Sequence, residues 1–359
     1  MSLVPVAIAC RDGGFESFSK GGDSNGSTLR EHRREGDFGV RVDAPSSVVV
    51  PHAAWSWDTA LRGVVPPLIS PLHTTGDVDE VSVQRLVEHV LAGGCTGLFV
   101  LGGCGEGAWL TNAQRAAVVR TVVRAAAGRA PVLAGVMLAA TGPAVDAARQ
   151  AESEGADAVV LGSPYYGEVD AGMQERHVGA ILDAVPLPVL LYNIPQATHN
   201  LLAPTTVERL ALHPRVLGIK DSAGNLHTFQ EFLKVKSLRP GFRVLQGNEP
   251  VASSSLLLGA DGLVPGMANF APSLFVELRR VASLGDAKAC TNLQAAITDL
   301  WTLHRQGHWL TALKGACSLL ELSNGLPTSP LLPASDAERH AINAILERHQ
   351  IAPARARVD

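Results

Sequence analysis

Residues 216 to 221, Val216-Leu217-Gly218-Ile219-Lys220-Asp221, form a short apolar run between Pro214-Arg215 and Ser222-Ala223-Gly224-Asn225. Such a run bounded by turn residues reads as a buried strand ending in a turn. At a period of two, Val216, Gly218 and Lys220 share one face and Leu217 and Ile219 the other. A lysine at the end of a buried strand is costly unless it is paired or neutral. Shedding the proton leaves an amine able to attack a carbonyl carbon. The plainer alternative is a lysine at a strand tip that reaches solvent, and the stretch alone does not separate the two.

Working outward, the surroundings repeat one pattern. From Gly63 onward, apolar strand-like runs alternate with amphipathic helical stretches. The strand candidates are Val64–Ser70, Gly97–Leu101, Pro131–Val136, Ala158–Leu161, Pro188–Tyr192, Val216–Lys220, Phe242–Leu245 and Gly262–Pro265. The first helical stretch places Val83, Leu86, Val87, Val90 and Leu91 on one face and stops at Gly93-Gly94. The second opens with Thr111-Asn112-Ala113-Gln114, a capping box. Strands alternating with helices imply a parallel sheet with right-handed crossovers. Eight such units close into a TIM (β/α)8 barrel. A doubly wound open sheet is the alternative, but no Gly-x-Gly-x-x-Gly follows the first strand.

The boundaries follow from composition. Residues 1–61 contain the stretch Arg11 to Glu35, rich in Gly, Ser and both charges, and read as a flexible extension. Trp55 and Trp57 are placed to clamp it to the globular part. Residues 62–285 form the expected barrel. Residues 286–359 form a C-terminal helical annex against the barrel's outside: two helices between Ala287 and about Gly325, then a third from Asp336 to His349. Pro327, Pro330 and Pro333 mark the loop between them.

Bulk properties exclude several functions. The 359 residues are 46% hydrophobic and 18% charged, with a net charge of −4, which gives no electrostatic footprint for nucleic acid. No apolar run approaches a membrane span, and Leu3 to Cys10 is too short, and lacks the basic flank, for a signal peptide. The five cysteines (10, 95, 104, 290, 317) are too widely spaced for a disulfide framework or CxxC metal binding. These features fit a cytoplasmic protein.

In a barrel, catalytic groups stand at the carboxyl ends of the strands. Those ends read Gly102-Gly103-Cys104-Gly105-Glu106-Gly107, Ser163-Pro164-Tyr165-Tyr166, Tyr192-Asn193-Ile194-Pro195, Lys220, and Leu263-Val264-Pro265-Gly266. Tyr192 and Lys220 end consecutive strands, about 5 Å apart in a parallel sheet, with Gly218 leaving room beneath. An amine beside a phenol suits Schiff-base chemistry, in which the iminium draws electrons and the phenol moves protons. The backbone N–H groups of the Gly-rich turn suit a carboxylate. Taken singly, a Gly-rich turn is most often turn geometry and a Tyr-Tyr pair most often packing. Yet all 3 tyrosines of the chain fall at these strand ends.

The series Gly102-x-x-Gly105-Glu106, Pro164-Tyr165-Tyr166, Tyr192-Asn193-x-Pro195, Gly218-Ile219-Lys220-Asp221 and Gly259-Ala260-Asp261-Gly262 resembles the dihydrodipicolinate synthase/N-acetylneuraminate lyase family over residues 63 to 348. The resemblance implies a TIM barrel, class I aldolase chemistry without metal or cofactor, and a homo-oligomer, a tetramer or dimer. It implies Lys220 as the Schiff-base lysine, Tyr192 as proton donor and acceptor, and Tyr166 as the tyrosine lent to a neighbouring subunit. It also implies pyruvate binding by Gly102, Gly103, Cys104, Gly105 and Val264, largely through backbone groups.

Two departures bear on the substrate. Gly103 stands where the family usually has a Ser or Thr whose hydroxyl links the two tyrosines, and Cys104 replaces the next Thr. Ala197 stands where the synthases place an Arg for the aldehyde's carboxylate, which argues against aspartate semialdehyde. Thr198, His199 and Asn200 suggest hydroxyl-bearing ligands instead. The expectation is a Schiff-base lyase acting on pyruvate or a 2-keto-3-deoxy sugar acid. A dihydrodipicolinate synthase, a ketodeoxyglucarate-type dehydratase and a non-catalytic 2-oxo-acid-binding barrel are the alternatives. Glu106 reads as a carboxylate that ties down its loop. His304, His308, Trp301 and Trp309 read as packing or subunit contacts in the annex.

Overall fold

A computed structural model describes residues 55 to 353. Most of the expected extension lies outside the described residues, as does Cys10. Seven parallel strands run in sequence order around one sheet: β1 (Leu98–Val100), β2 (Val132–Gly135), β3 (Ala158–Gly162), β4 (Val189–Asn193), β5 (Val216–Asp221), β6 (Arg243–Gln246) and β7 (Gly262–Leu263). The expected first strand, Val64–Ser70, forms only isolated parallel bridges, Val64 to Leu263 and Pro67 to Phe99. Pro66 and Pro67 have no N–H to donate and so break a continuous ladder. The remaining groups still close the ring. Val65 N–H donates to Leu263 O at 2.9 Å, and Leu68 N–H to Phe99 O at 2.7 Å. The result is a TIM-barrel-type α/β fold with C-terminal helices.

The barrel's interior is a separate apolar cluster: Leu61, Val65, Phe99, Leu133, Ala158, Val160, Leu190, Tyr192, Leu245 and Val264. Trp57 packs against it from the helix Trp57–Leu61, so the chain just before residue 62 plugs the barrel rather than merely leading into it. The larger apolar core lies between sheet and helices. Helix Glu80–Ala92 turns Val83, Leu86, Val87 and Val90 toward it, and Thr111 and Gln114 cap helix Asn112–Ala126 reciprocally, as expected.

Strand β5 departs from simple alternation. The register against β4 shifts between Val189 and Leu190, which pair with Val216 and Gly218. Leu217 is therefore an extra residue, a β-bulge. Val216 and Ile219 join the outer core, while Leu217 packs on the interior cluster. Gly218 does not leave room beneath Lys220. A Cβ there would sit 2.0 Å from the carbonyl oxygen of Arg243, so the glycine admits the backbone of β6. Lys220 nonetheless points inward, because the bulge lies before it.

The annex comprises helices Ala287–Leu300, Trp309–Leu319 and Asp336–Arg348, with a 3-10 turn at Trp301–Arg305. It does more than lie against the outside. Lys314 and Trp309, both on the second helix, reach the barrel's mouth.

Candidate active site

Tyr192 pairs with Lys220 in the β4–β5 ladder, and Asn193 with Asp221 in the next row. Each pair projects to the opposite face of the sheet from the other. Lys220 and Tyr192 therefore enter the barrel mouth, both buried. Asn193 Nδ2 donates to Asp221 Oδ1 at 2.7 Å on the outer side, where burial raises the Asp221 carboxyl above its usual range against the hydrogen bond from Asn193.

The Lys220 Nζ lies 4.0 Å from the Tyr192 ring centroid and 5.0 Å from that of Phe99. The two rings meet edge to face at 6.2 Å. No carboxylate is within ion-pair distance of Lys220 among the described residues, so the amine is held by aromatic faces. Gly247 clears its path, since a Cβ there would stand 2.6 Å from Lys220 Cε. The Tyr192 hydroxyl has a partner that sequence reasoning missed: Ser222 Oγ donates to it at 3.4 Å. The signal was present, because Ser222 follows Lys220 by two and so returns toward the same face.

The Gly-rich turn follows β1 directly. Leu101 and Glu106 both take positive φ, 60° and 56°, a left-handed geometry costly for residues with a Cβ. Gly107 is obligatory in its place, because a Cβ would lie 2.0 Å from Leu101 O. The turn is tied by Glu106 N–H to Gly103 O and Gly107 N–H to Gly102 O, each at 3.2 Å. Among the described residues, the N–H groups of Gly103, Cys104 and Gly105 donate to no protein oxygen, which leaves them able to bind an anion. Val264 is buried in the interior cluster, with its N–H spent on Gln246 O at 2.8 Å. Only its carbonyl remains for a ligand. Burial pushes the Cys104 thiol up to about 12, against the pull of nearby Lys220. It stands as a neutral thiol, not a nucleophile.

Glu106 fulfils its expected role, and its partner lies in the annex. The Lys314 ammonium forms a fully buried ion pair with Glu106 and donates to Ser70 O at 2.9 Å and Leu326 O at 2.8 Å. The other Glu106 carboxylate oxygen accepts from Thr328 N–H. Ser70 Oγ in turn donates to Gly105 O at 2.7 Å.

A cavity of about 410 Å³ is lined by Gly102, Gly103, Glu106 and Gly107 of the turn, by Tyr165, Tyr192, Ile194, Ala197 and Thr198 and, from the annex, by His308 and Trp309. It reaches Tyr192, while Lys220, Cys104, Gly105 and Val264 are not among its lining residues. His308 and Trp309, expected as packing or subunit contacts in the annex, line this cavity. Tyr165 lines the cavity, whereas Tyr166 does not. Tyr166 is 97% exposed on left-handed backbone, φ 80°. His199 is exposed as well and is not part of the lining.

Residues 60–349 match the model of the dihydrodipicolinate synthetase family. The chain belongs to that family. It is 34% identical over 301 residues to the probable 2-dehydro-3-deoxy-D-pentonate aldolase YjhH of Escherichia coli, covering 81% of this chain and 98% of that one. It is 32% identical to the 4-hydroxy-tetrahydrodipicolinate synthase of Methylibium petroleiphilum, covering 76% and 93%. Among solved structures it resembles YagE, an Escherichia coli prophage protein of the dihydrodipicolinic acid synthase family in complex with pyruvate. That match has a TM-score of 0.77 at 27% identity, over 81% of this chain and 99% of YagE. The dihydrodipicolinate synthase of Bacteroides thetaiotaomicron gives a TM-score of 0.76 at 35% identity, over 80% and 98%. The protein is a family aldolase, a carbon–carbon lyase or synthase.

Proposed function

We propose that the protein is a pyruvate-dependent class I aldolase in which Lys220 carries the substrate as an iminium. The observation that carries this reading is the buried, carboxylate-free Lys220 amine 4.0 Å from the Tyr192 ring. The amine attacks C2 of the 2-oxo acid while the N–H groups of Gly103, Cys104 and Gly105 hold its carboxylate. Loss of water gives the iminium. Release of a C3 proton gives the enamine, which attacks the aldehyde carbon, and the Tyr192 hydroxyl delivers a proton to the aldehyde oxygen. Water then frees the 4-hydroxy-2-oxo acid and the amine. Cleavage is the same path reversed. With no hydroxyl at Gly103, Ser222 Oγ is the side-chain partner of the Tyr192 hydroxyl, at 3.4 Å.

The wholly exposed Tyr166 supports its loan to a second subunit of a homo-oligomer, dimer or tetramer. The four cysteines among the described residues are unpaired, and no helix there is long and apolar enough to cross a membrane. Both features are in keeping with our placement of the enzyme in the cytoplasm. A 2-keto-3-deoxy sugar acid is the second reading of the substrate, favoured by the likeness to YjhH. Aspartate semialdehyde is disfavoured by Ala197, which offers its carboxylate nothing.

Borohydride reduction with pyruvate, followed by peptide mass mapping, tests the reading. A reduced adduct on the Lys220 peptide, absent from Lys220→Ala, is the expected result. An adduct that persists in Lys220→Ala, or none in the wild type, refutes it.

A further inference from the structure

The cavity beside Tyr192 is unlike a site for a charged or polyhydroxylated partner. Trp109, Met137, Ile194, Ala197, Trp309 and Leu310 make its apolar walls, beside Tyr165, Tyr192, Thr198 and His308, and no lysine or arginine lines it among the described residues. The one carboxylate in the lining, Glu106, is already neutralised by Lys314.

The Thr198 and Asn200 side chains, expected to suit sugar hydroxyls, are occupied. The Thr198 hydroxyl donates toward Asn200 O at 3.0 Å and Ile194 O at 3.2 Å, and it accepts from Asn200 N–H. The Asn200 amide donates to Pro164 O, Gly167 O and Thr198 O, and its oxygen accepts from Val169 N–H. Thr198 and Asn200 therefore fold the β4 exit loop rather than read a ligand. His308 spends Nδ1 on the Leu310 N–H. Among the side chains of the lining in the described residues, the hydroxyls of Tyr165 and Tyr192, the second His308 nitrogen and the indole N–H groups of Trp109 and Trp309 remain. All but the His308 nitrogen sit on aromatic rings, so a substrate hydroxyl laid against the rest of this chamber would lose water without gaining a partner.

Gly103 adds an independent observation. A Cβ built there would lie 3.9 Å from the Trp309 ring, so the room left by the absent side chain is faced by an indole. Met137 borders the same chamber with a thioether, which packs well against rings.

Resting on the aldolase reading above, we infer that the partner aldehyde is uncharged and aromatic, stacked against Trp309. The enamine C3 of pyruvate bonds to the aldehyde carbon, whose oxygen takes the Tyr192 proton. Hydrolysis releases a 4-hydroxy-2-oxo acid with an aryl group at C4. In the cleavage direction the same acid yields pyruvate and the aromatic aldehyde.

The test supplies full-length wild-type enzyme with pyruvate and, in parallel, benzaldehyde, glycolaldehyde or aspartate semialdehyde. The 4-hydroxy-2-oxo product is quantified by mass spectrometry, and borohydride trapping with pyruvate is run alongside. The expected result is a kcat/KM for benzaldehyde at least tenfold above either competitor. Trapping on Lys220 together with a preference for glycolaldehyde or aspartate semialdehyde overturns this inference and leaves the aldolase reading standing. Absence of trapping overturns both. Trp309 is half-exposed, so Trp309→Ala should fold. It should lower the benzaldehyde-to-glycolaldehyde ratio at least tenfold, and an unchanged ratio refutes the stacking wall.

Discussion

Removing the charge of Lys314 should damage the protein well beyond what a side chain in a C-terminal helix suggests. Lys314→Met keeps the length and apolar stem but leaves Glu106 as a carboxylate with no exposure and only the Thr328 N–H as a partner. The carbonyls of Ser70 and Leu326 lose their donor at the same time. Burial pulls the Lys314 ammonium below the ordinary lysine range, while Glu106 holds it up. The pair is therefore not a large net source of stability, but breaking one half is expensive. An uncompensated buried charge costs about 3–5 kcal/mol, and each orphaned carbonyl adds on the order of 1 kcal/mol. We expect Lys314→Met to lose about 5–7 kcal/mol in urea unfolding, a large part of a typical domain's stability. Lys314→Met/Glu106→Gln should recover at least half of that loss, because the stranded charge is gone. Pyruvate trapping should slow in the single variant, since Glu106 sits in the turn whose N–H groups are proposed to hold the carboxylate. A loss below about 1 kcal/mol, or a double variant no better than the single, would refute the reasoning.

Three further outcomes follow from other groups. Ser222→Ala should lower kcat about fivefold, the worth of one modest hydrogen bond of about 1 kcal/mol to the Tyr192 hydroxyl, with the KM for pyruvate little changed; an unaltered kcat would remove Ser222 from the proton path. Burial lowers His177 to about 4, with Thr141 Oγ1 at 2.9 Å from Nδ1 and Nε2 unpartnered. The unfolded chain then binds the extra proton first, so stability should fall by on the order of 3 kcal/mol as pH drops from about 6.5 to about 4; urea titrations of wild type and His177→Gln across that range check it, and an equal slope in both would dismiss the assignment. Iodoacetamide at pH 8 should modify the Cys104 peptide far more slowly in native than in denatured protein, and equal rates would show that its thiol is not held neutral.

The barrel and the central pair were legible because both rest on local patterns. Strand periodicity and the positions of strand ends were enough to bring Tyr192 and Lys220 into one row. The bulge at Leu217 was hidden, because alternation assumes an unbroken ladder and nothing in Val-Leu-Gly-Ile marks the extra residue. Gly218 was read as making space for a side chain when it makes space for the neighbouring backbone. The first strand lost its ladder to Pro66 and Pro67, a rule that could have been applied from the sequence. Thr198 and Asn200 looked like ligand readers because the sequence shows hydroxyls and amides but not which backbone groups occupy them. The part played by Trp309, His308 and Lys314 depends on where a helix from beyond the sheet is laid down. That is set by packing between residues more than two hundred positions apart, and no window of sequence carries it.

Trp309 and Lys314 stand five residues apart on one helix, about 7.5 Å along its axis. In the proposed reaction one faces the incoming aldehyde and the other seats the loop that grips the 2-oxo acid. A shift of this helix would move both jaws of the vise together, whereas a change of ring at 309 alone would refit one jaw and leave the other clamped. The chemistry of pyruvate can thus be inherited intact while the choice of what it is joined to drifts with a single side chain.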